Sequence, residues 1–119
     1  MKANELRIGC SFQLENSVLG GGIATIKNKY DLDVAFDLLE SNLIKPIPLT
    51  EEWLLNLGFY KNIDTELFEK GGYQIDISVL KCHFYLPDYG DWYKEIEYVH
   101  ELQNLYFALT EQELAVKLN

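Results

Sequence analysis

The chain has 119 residues, of which 48% are hydrophobic and 24% are charged; this is the composition of a folded globular protein and not of a disordered segment. A chain of this length is expected to form one domain, residues 1–119, with its own hydrophobic core. Ten basic and nineteen acidic residues give a formal net charge of -9, which disfavours direct binding to nucleic acid phosphates or to anionic membranes.

The lack of a recognisable targeting signal and the use of cysteine both predict a cytoplasmic protein. No apolar segment approaches the roughly 20 residues of a transmembrane helix, and residues 1–7 lack the apolar core of a signal peptide. Cys10 and Cys82 are the two cysteines, and each lies in a strand-like segment far from the other. We expect reduced, buried thiols, because disulfides are rare in a reducing compartment.

The N-terminal segment predicts a β-hairpin. Apolar residues alternate along residues 5–14, which is typical of a strand with one buried face; they are Leu6, Ile8, Cys10, Phe12 and Leu14. Residues 16–22 end in three glycines and predict a turn, and residues 23–27 resume an extended pattern.

The following segment is ambiguous between a helix and a strand. The apolar residues of 31–40 fit either period, and we favour the helix because Asp31 suits its first turn and good helix formers follow. Residues 42–48 are expected to be extended, since Pro46 and Pro48 disfavour helical geometry in the residues that precede them.

Residues 47–59 carry the signals of a short, well-defined helix. Thr50 can cap its N-terminus, and Glu51 and Glu52 place negative charge near the positive end of the helix dipole. Gly58 can adopt the left-handed conformation that commonly ends a helix.

A second hairpin and further strand segments are predicted next along the chain. Gly71 and Gly72 form the expected turn of a second hairpin, whose second strand, residues 73–80, has the clearest alternation in the sequence. Residues 81–86 are predicted to extend this strand or to pair with it, and residues 92–98 are predicted to be another strand.

The C-terminal segment predicts a buried helix. Four apolar residues of 98–109 recur at three- and four-residue spacing, which describes one helix face; they are Val99, Leu102, Tyr106 and Leu109. Thr110 and Glu113 have the spacing of a capping box, so a second short helical turn is expected there.

These elements predict an α+β fold: a single-domain antiparallel sheet packed by the short capped helix and the C-terminal helix. Both helices have one apolar stripe, and we expect these stripes to pack in two layers on the sheet face that carries Ile75, Ile77 and Val79.

Neither a catalytic nor a metal site is predicted, and no cofactor is expected. His83 and His100 are the two histidines, and neither belongs to an H-E-x-x-H motif. Asp31, Asp33 and Asp37 lack the glycine and terminal glutamate of a calcium loop. Gly20 to Gly22 lacks the lysine of a phosphate-binding loop. We therefore predict that the protein is not an enzyme.

Residues 86–93 mix aromatic and acidic side chains around a turn, which favours a protein-binding surface because Tyr and Trp give large contact areas at low entropy cost. With the acidic residues of the following strand, the predicted binding residues are Asp88, Tyr89, Asp91, Trp92, Tyr93, Glu95 and Glu97.

Three sequence blocks support a resemblance to known proteins. They are Leu6-Arg-Ile-Gly9, residues 47–59, which read IPLTEEWLLNLGF, and residues 98–114, which read YVHELQNLYFALTEQEL. The blocks resemble a group of short uncharacterised bacterial and prophage proteins, which usually carry Asn where this chain has Cys10 and Gly where it has Glu111. The resemblance implies a mobile-element setting and assigns no functional residue.

The preferred hypothesis is a small acidic phage or mobile-element accessory protein that binds and modulates a host protein with a basic surface, for example as an anti-defence inhibitor. One alternative is an enzyme or small-ligand binder that uses His83, His100 and the aromatic loop. Another alternative is a structural module that assembles into a homo-oligomer.

Overall fold

The computed structural model describes residues 6–14, 22–40, 44–77, 82–87 and 92–114. Their contacts divide the chain into two compact units. The first unit contains the described residues up to Pro48 together with residues 98–114, and the second contains those from Leu49 to Glu97. Each unit contains an antiparallel sheet and at least one helix, which confirms the predicted α+β class. The prediction of a single domain remains a prediction.

The first unit contains a three-stranded antiparallel sheet with the order β2-β1-β3. Its strands are β1 (Ser11–Leu14), β2 (Gly22–Thr25) and β3 (Ile44–Lys45). Ser11 pairs with Thr25 and Leu14 with Gly22, which confirms the predicted hairpin.

The first strand is shorter than its alternating sequence predicts. Gly9 has a φ of 104°, a conformation that L-residues rarely adopt, and its N–H donates to the Ile26 carbonyl over 2.7 Å. The chain therefore turns before β1 begins, and Ile8, which the alternation placed in the core, is 43% exposed. Leu6 and Cys10 are buried as expected.

Helix α1 (Lys29–Glu40) confirms the helical interpretation of residues 31–40. Asn28 Oδ1 accepts the Asp31 N–H over 2.9 Å, and Asp31 Oδ2 accepts the Lys27 N–H over 3.0 Å, so two backbone donors at the helix start are satisfied. Ala35 of α1 is part of a core formed with the sheet. The other buried members of this core are Leu6, Cys10, Phe12, Ile26 and Ile44.

Helix α3 (Val99–Thr110) completes the first unit and packs on β1. Three of its predicted core residues, Val99, Leu102 and Tyr106, are at most 4% exposed. Leu109 is 36% exposed and was wrongly predicted to be buried, because it lies in the last turn, where the helix is about to end. The buried face instead includes the polar residues His100 and Gln103.

No second helical turn follows α3 within residues 111–114. Thr110 does not act as an N-cap: its hydroxyl donates to the Tyr106 carbonyl over 2.7 Å, inside α3. Glu113 forms an ion pair with Arg7 instead of a capping box. Glu111 ends the helix with a φ of 61°, the left-handed conformation in which glycine is favoured.

The second unit begins with helix α2 (Glu51–Asn56), whose predicted ends are confirmed. Thr50 Oγ1 accepts the Trp53 N–H over 3.2 Å. Gly58 has a φ of 92° and donates to the Leu55 carbonyl, while Phe59 donates to the Leu54 carbonyl. These two bonds are the Schellman arrangement.

A five-stranded antiparallel sheet follows, in which neighbours along the chain are neighbours in the sheet. The strands are β4 (Tyr60–Lys61), β5 (Phe68–Lys70), β6 (Tyr73–Ile77), β7 (Cys82–Tyr85) and β8 (Trp92–Ile96). Gly71 and Gly72 have φ values of 58° and 88°, as the tight turn of the predicted hairpin requires.

The centre of one face of the five-stranded sheet is buried. Phe68 pairs with Ile75, and Ile75 with Phe84; all three are at most 2% exposed. The buried residues of α2 and its ending, Leu54, Leu57 and Phe59, belong to the same unit. Of the expected sheet positions, Ile75 is buried and Ile77 half-buried, and Val79 lies outside the described residues. In the described part of the chain, no helix is long and apolar enough to cross a membrane.

Replacing Glu111 with glycine is expected to stabilise the protein. A non-glycine residue in the left-handed region costs about 1 kcal/mol. Glycine removes this cost, and the additional backbone entropy that glycine loses on folding offsets only part of the gain. We expect Glu111→Gly to raise the free energy of unfolding in urea by about 0.5 to 1 kcal/mol. Gln112→Gly, one residue beyond the left-handed position, is the control and should not stabilise. Equal effects of the two substitutions would contradict this account of the helix end.

Two neighbouring residues of α3 should differ in their contribution to stability. Leu102 is fully buried, so Leu102→Ala is expected to lower the free energy of unfolding by about 2 to 5 kcal/mol. Glu101 Oε1 accepts the Tyr98 N–H over 3.0 Å, so Glu101→Ala should cost about 0.5 to 1 kcal/mol through the lost cap. Urea melts of both variants measure the difference. A Leu102→Ala variant no less stable than Glu101→Ala would show that the buried face of α3 is wrongly assigned.

Candidate functional site

The five-stranded sheet has a second face that is lined by polar side chains. Strand alternation puts the neighbours of the buried residues on this face, and the register aligns them in two rows. One row is Glu69, Gln74 and Tyr85, and the other is Asp76, His83 and Glu95. We call these six residues the polar face.

The polar face carries negative charge. Three of its six residues are carboxylates, and none is Lys or Arg. His83 lies between Asp76 and Glu95 in the register, and its Nε2 is 3.6 Å from Glu95 Oε1. In the other row, Glu69 Oε2 accepts a hydrogen bond from Asn62 Nδ2 over 2.8 Å. A surface of this kind attracts cationic groups and repels phosphates.

The structure describes part of the predicted binding set. Tyr93 is 47% exposed, and Glu95 and Glu97 are also exposed. Trp92 is the first residue of β8, and its side chain lies outside the described part. Asp88, Tyr89 and Asp91 lie outside the described residues altogether.

The predicted binding set did not include the two acidic residues that share the polar face with Glu95. Asp76 and Glu69 lie on strands that are distant in sequence from the predicted loop, and only the register brings them onto the same face. The signal was present in part, because a two-glycine turn at Gly71 and Gly72 fixes the pairing of Glu69 with Gln74. The pairing of β7 with β8 is interrupted by an irregularity between Phe84 and Tyr85, and no sequence signal marks it.

The two histidines have different environments. His83 is half-buried on the polar face. His100 is 1% exposed, and its ring lies 5.2 Å from that of Phe12 and 5.9 Å from that of Tyr98, measured between centroids. His100 is thus a core residue of the first unit, with no open approach for a substrate.

Helix α3 is joined to the N-terminal segment by side-chain hydrogen bonds. The Arg7 guanidinium donates to Asn104 Oδ1 over 2.6 Å and to the Gln103 carbonyl over 2.9 Å. It also pairs with Glu113 and lies 4.5 Å from the centre of the Phe107 ring. Each of the three guanidinium nitrogens thus has an oxygen partner, and the group as a whole lies over an aromatic ring. We therefore assign Arg7 a structural role.

The two cysteines are buried and protonated at neutral pH. Burial raises the pKa of the Cys10 thiol to about 11, and Cys10 Sγ donates to Asn104 Oδ1 over 3.0 Å. Burial, followed by the charge of Asp76, also raises the pKa of Cys82. Because the thiolate is the nucleophilic form, neither environment activates its cysteine for attack.

A cavity of about 440 Å³ lies in the first unit, between α1 and the three-stranded sheet. Two alanines, Ala24 and Ala35, line it from the sheet and from the helix. The other lining residues are Phe12, Leu14, Ile23, Thr25, Ile26, Lys27, Asp31, Val34, Leu38 and Ile44. We call this space the helix–sheet cavity, and neither histidine lines it.

The described residues contain no cluster of His, Cys, Asp and Glu that could hold a metal ion. Comparison with known proteins finds no matching family model, no similar curated protein and no similar solved structure. The candidate sites are therefore the polar face and the helix–sheet cavity, and each is defined by its own geometry.

The buried Cys10 thiol predicts a loss of stability in alkali. Its folded-state pKa is raised, so the folded state keeps a proton that the unfolded chain releases, and stability falls as the pH rises from about 9 to 11. Cys10→Ser keeps a hydroxyl donor near Asn104 but does not titrate in this range. We expect the free energy of unfolding of the wild type to fall more steeply than that of Cys10→Ser. Parallel pH profiles in urea melts would contradict the assignment.

Proposed function

We propose that the protein is a non-catalytic binding protein whose polar face, extended by Tyr93 and Glu97, binds a basic surface of a partner protein. The observation that carries the proposal is the alignment of Asp76, His83 and Glu95 across three strands. It extends the negative charge of Glu95 and Glu97 onto Asp76 at the centre of the sheet, so the charge covers an area and not a single strand.

The position of β8 supports this proposal. It is the last strand of the five-stranded sheet, and its middle residues are exposed on a rigid antiparallel scaffold. Tyr93 adds an aromatic ring, 47% exposed, next to the carboxylates. An exposed tyrosine supplies contact area, and carboxylates around it supply charge selectivity and a faster encounter with a cationic surface.

The resemblance of the three sequence blocks to prophage proteins extends the proposal to a setting. On this basis the protein is a mobile-element accessory protein, and its partner is a host protein, for example a defence protein with a basic substrate groove that the polar face would occupy. The formal charge of -9 for the whole chain supports such a role. A protein that occupies the nucleic-acid-binding groove of a partner must present negative charge to the basic residues of that groove.

Capture from a host lysate at low and high salt tests the proposal. We expect the wild type to retain a basic protein at low salt and to retain less of it at high salt, because exposed charges are screened over about 8 Å in physiological salt. Charge reversal of Glu95 and Glu97 to lysine should remove this capture and, with the purified partner, slow association and flatten its salt dependence. Folding should be nearly unchanged, since both side chains are exposed.

The matched control reverses two other exposed acids, Asp33 and Asp37 of α1, to lysine. This variant has the same change in net charge but leaves the polar face intact. Retention of the partner by the control and loss by the Glu95 and Glu97 variant would support the proposal. Equal loss of the partner in both variants would show that net charge, and not the polar face, determines binding, and would contradict the proposal. Recovery of no basic partner by the wild type would also overturn it.

A further inference from the structure

The helix–sheet cavity is large for a protein of this size, and its walls are mostly apolar. A volume of 440 Å³ falls within the range of small-molecule sites and would hold about fifteen waters at roughly 30 Å³ each. Nine of its twelve lining residues are apolar and cannot hydrogen-bond with water. Water in such a space is therefore readily displaced by an apolar molecule.

Small residues contribute to both the sheet wall and the helix wall of the cavity. Ala24 of β2 and Ala35 of α1 line it from opposite walls, where larger residues would fill the space between helix and sheet. Ile23 and Val34 also line the cavity and are 38% and 37% exposed. The exposure of Val34, on the helix wall, shows that the cavity reaches the surface of the described part of this unit.

The cavity has a polar end and an apolar end. Lys27 lies two residues beyond the end of β2, and Asp31 lies in the first turn of α1 with its Oδ2 3.0 Å from the Lys27 backbone nitrogen. Leu38 lies two turns further along α1, about 10 Å away at 1.5 Å per residue. Leu14, which pairs with both Gly22 and Ile44, marks the same apolar end in the sheet.

The polar end carries both signs of charge. Lys27 contributes a cation and Asp31 a carboxylate. An anionic head group would be attracted by Lys27 and repelled by Asp31. A cationic head group would be attracted by Asp31 and repelled by Lys27. A neutral amide satisfies both, since its carbonyl can accept from the ammonium group and its N–H can donate to the carboxylate.

We infer that the helix–sheet cavity binds a small neutral amphiphile, a short aliphatic chain that ends in an amide or a similar group with both a donor and an acceptor. The aliphatic chain lies between Ala24 and Ala35 and points toward Leu38 and Ile44. The head group lies at Lys27 and Asp31. This site is independent of the polar face, so its test does not depend on the proposed protein partner.

Three probes with the same chain and different head groups test the inference: octanamide, octanoate and octylammonium. Titration calorimetry of the full chain should give saturable binding of octanamide, with a dissociation constant between about 10 μM and 1 mM for a ligand of about ten non-hydrogen atoms. The two charged probes should bind at least about tenfold more weakly. No saturable binding of octanamide up to its solubility limit would overturn the inference.

Variants of the two charged residues provide a readout that non-specific apolar binding would not give. Asp31→Asn keeps an oxygen acceptor for the Lys27 N–H but leaves the lysine as the one charge of the pair, so the preference should shift toward octanoate. Lys27→Met should shift it toward octylammonium. We expect each shift to be about tenfold, the order that one nearby charge produces at a protein surface. An unchanged order of the three probes in both variants would place their head groups elsewhere.

Filling the cavity should abolish binding. Ala35→Leu and, from the opposite wall, Ala24→Leu each place a larger side chain in the space where the aliphatic chain would lie. Ala108→Leu, at an exposed position of α3, is the control and should bind octanamide like the wild type. Circular dichroism of each variant checks that it is folded. Wild-type affinity in either folded cavity variant would overturn the inference.

Discussion

The buried amide of Gln103 is the interaction on which the first unit most depends. Gln103 is fully buried, and its Oε1 accepts the Ser11 N–H over 2.8 Å while its Nε2 lies within hydrogen-bond distance of Ser11 Oγ and the Leu114 carbonyl. A buried polar group without partners costs about 1 to 3 kcal/mol. The amide therefore fixes the register of α3 against β1, because a shift of the helix by one residue would leave the amide, the strand and the carbonyl unsatisfied together.

Neighbouring hydrogen bonds connect the Gln103 amide to β2 and to the N-terminal segment. Ser11 Oγ lies 2.8 Å from Thr25 Oγ1, which ties the first strand pair to the same network. Asn104, next to Gln103, accepts from both Arg7 and Cys10. The first and third of the three sequence blocks therefore meet in the structure, and their polar residues are explained by these contacts.

Local signals in the sequence were reliable where a single residue type sets the backbone. Thr50, Gly58 and the pair Gly71 and Gly72 marked helix ends and a turn that the structure confirms. Apolar periodicity was reliable for the middle of α3 but not for Leu109, because a period says nothing about where a helix stops. The burial of His100 and Gln103 was not predictable, since polar residues are read as exposed unless their partners are known. The polar face depends on the pairing of strands far apart in sequence, and the helix–sheet cavity depends on the packing of α1 against β2, neither of which a one-dimensional pattern contains.

The two candidate sites select their ligands by different physical properties. The polar face is exposed to water, so its carboxylates act over several ångströms and select by sign of charge, with an effect that salt weakens. The helix–sheet cavity selects by size and by the amount of apolar surface, which salt hardly affects, and its single pair of charges discriminates head groups at short range. Salt titration therefore separates contributions from the two sites even when both are occupied. A ligand in the cavity would also add contacts between α1 and β2, and so would stabilise the folded state by an amount that grows with the logarithm of its concentration above the dissociation constant.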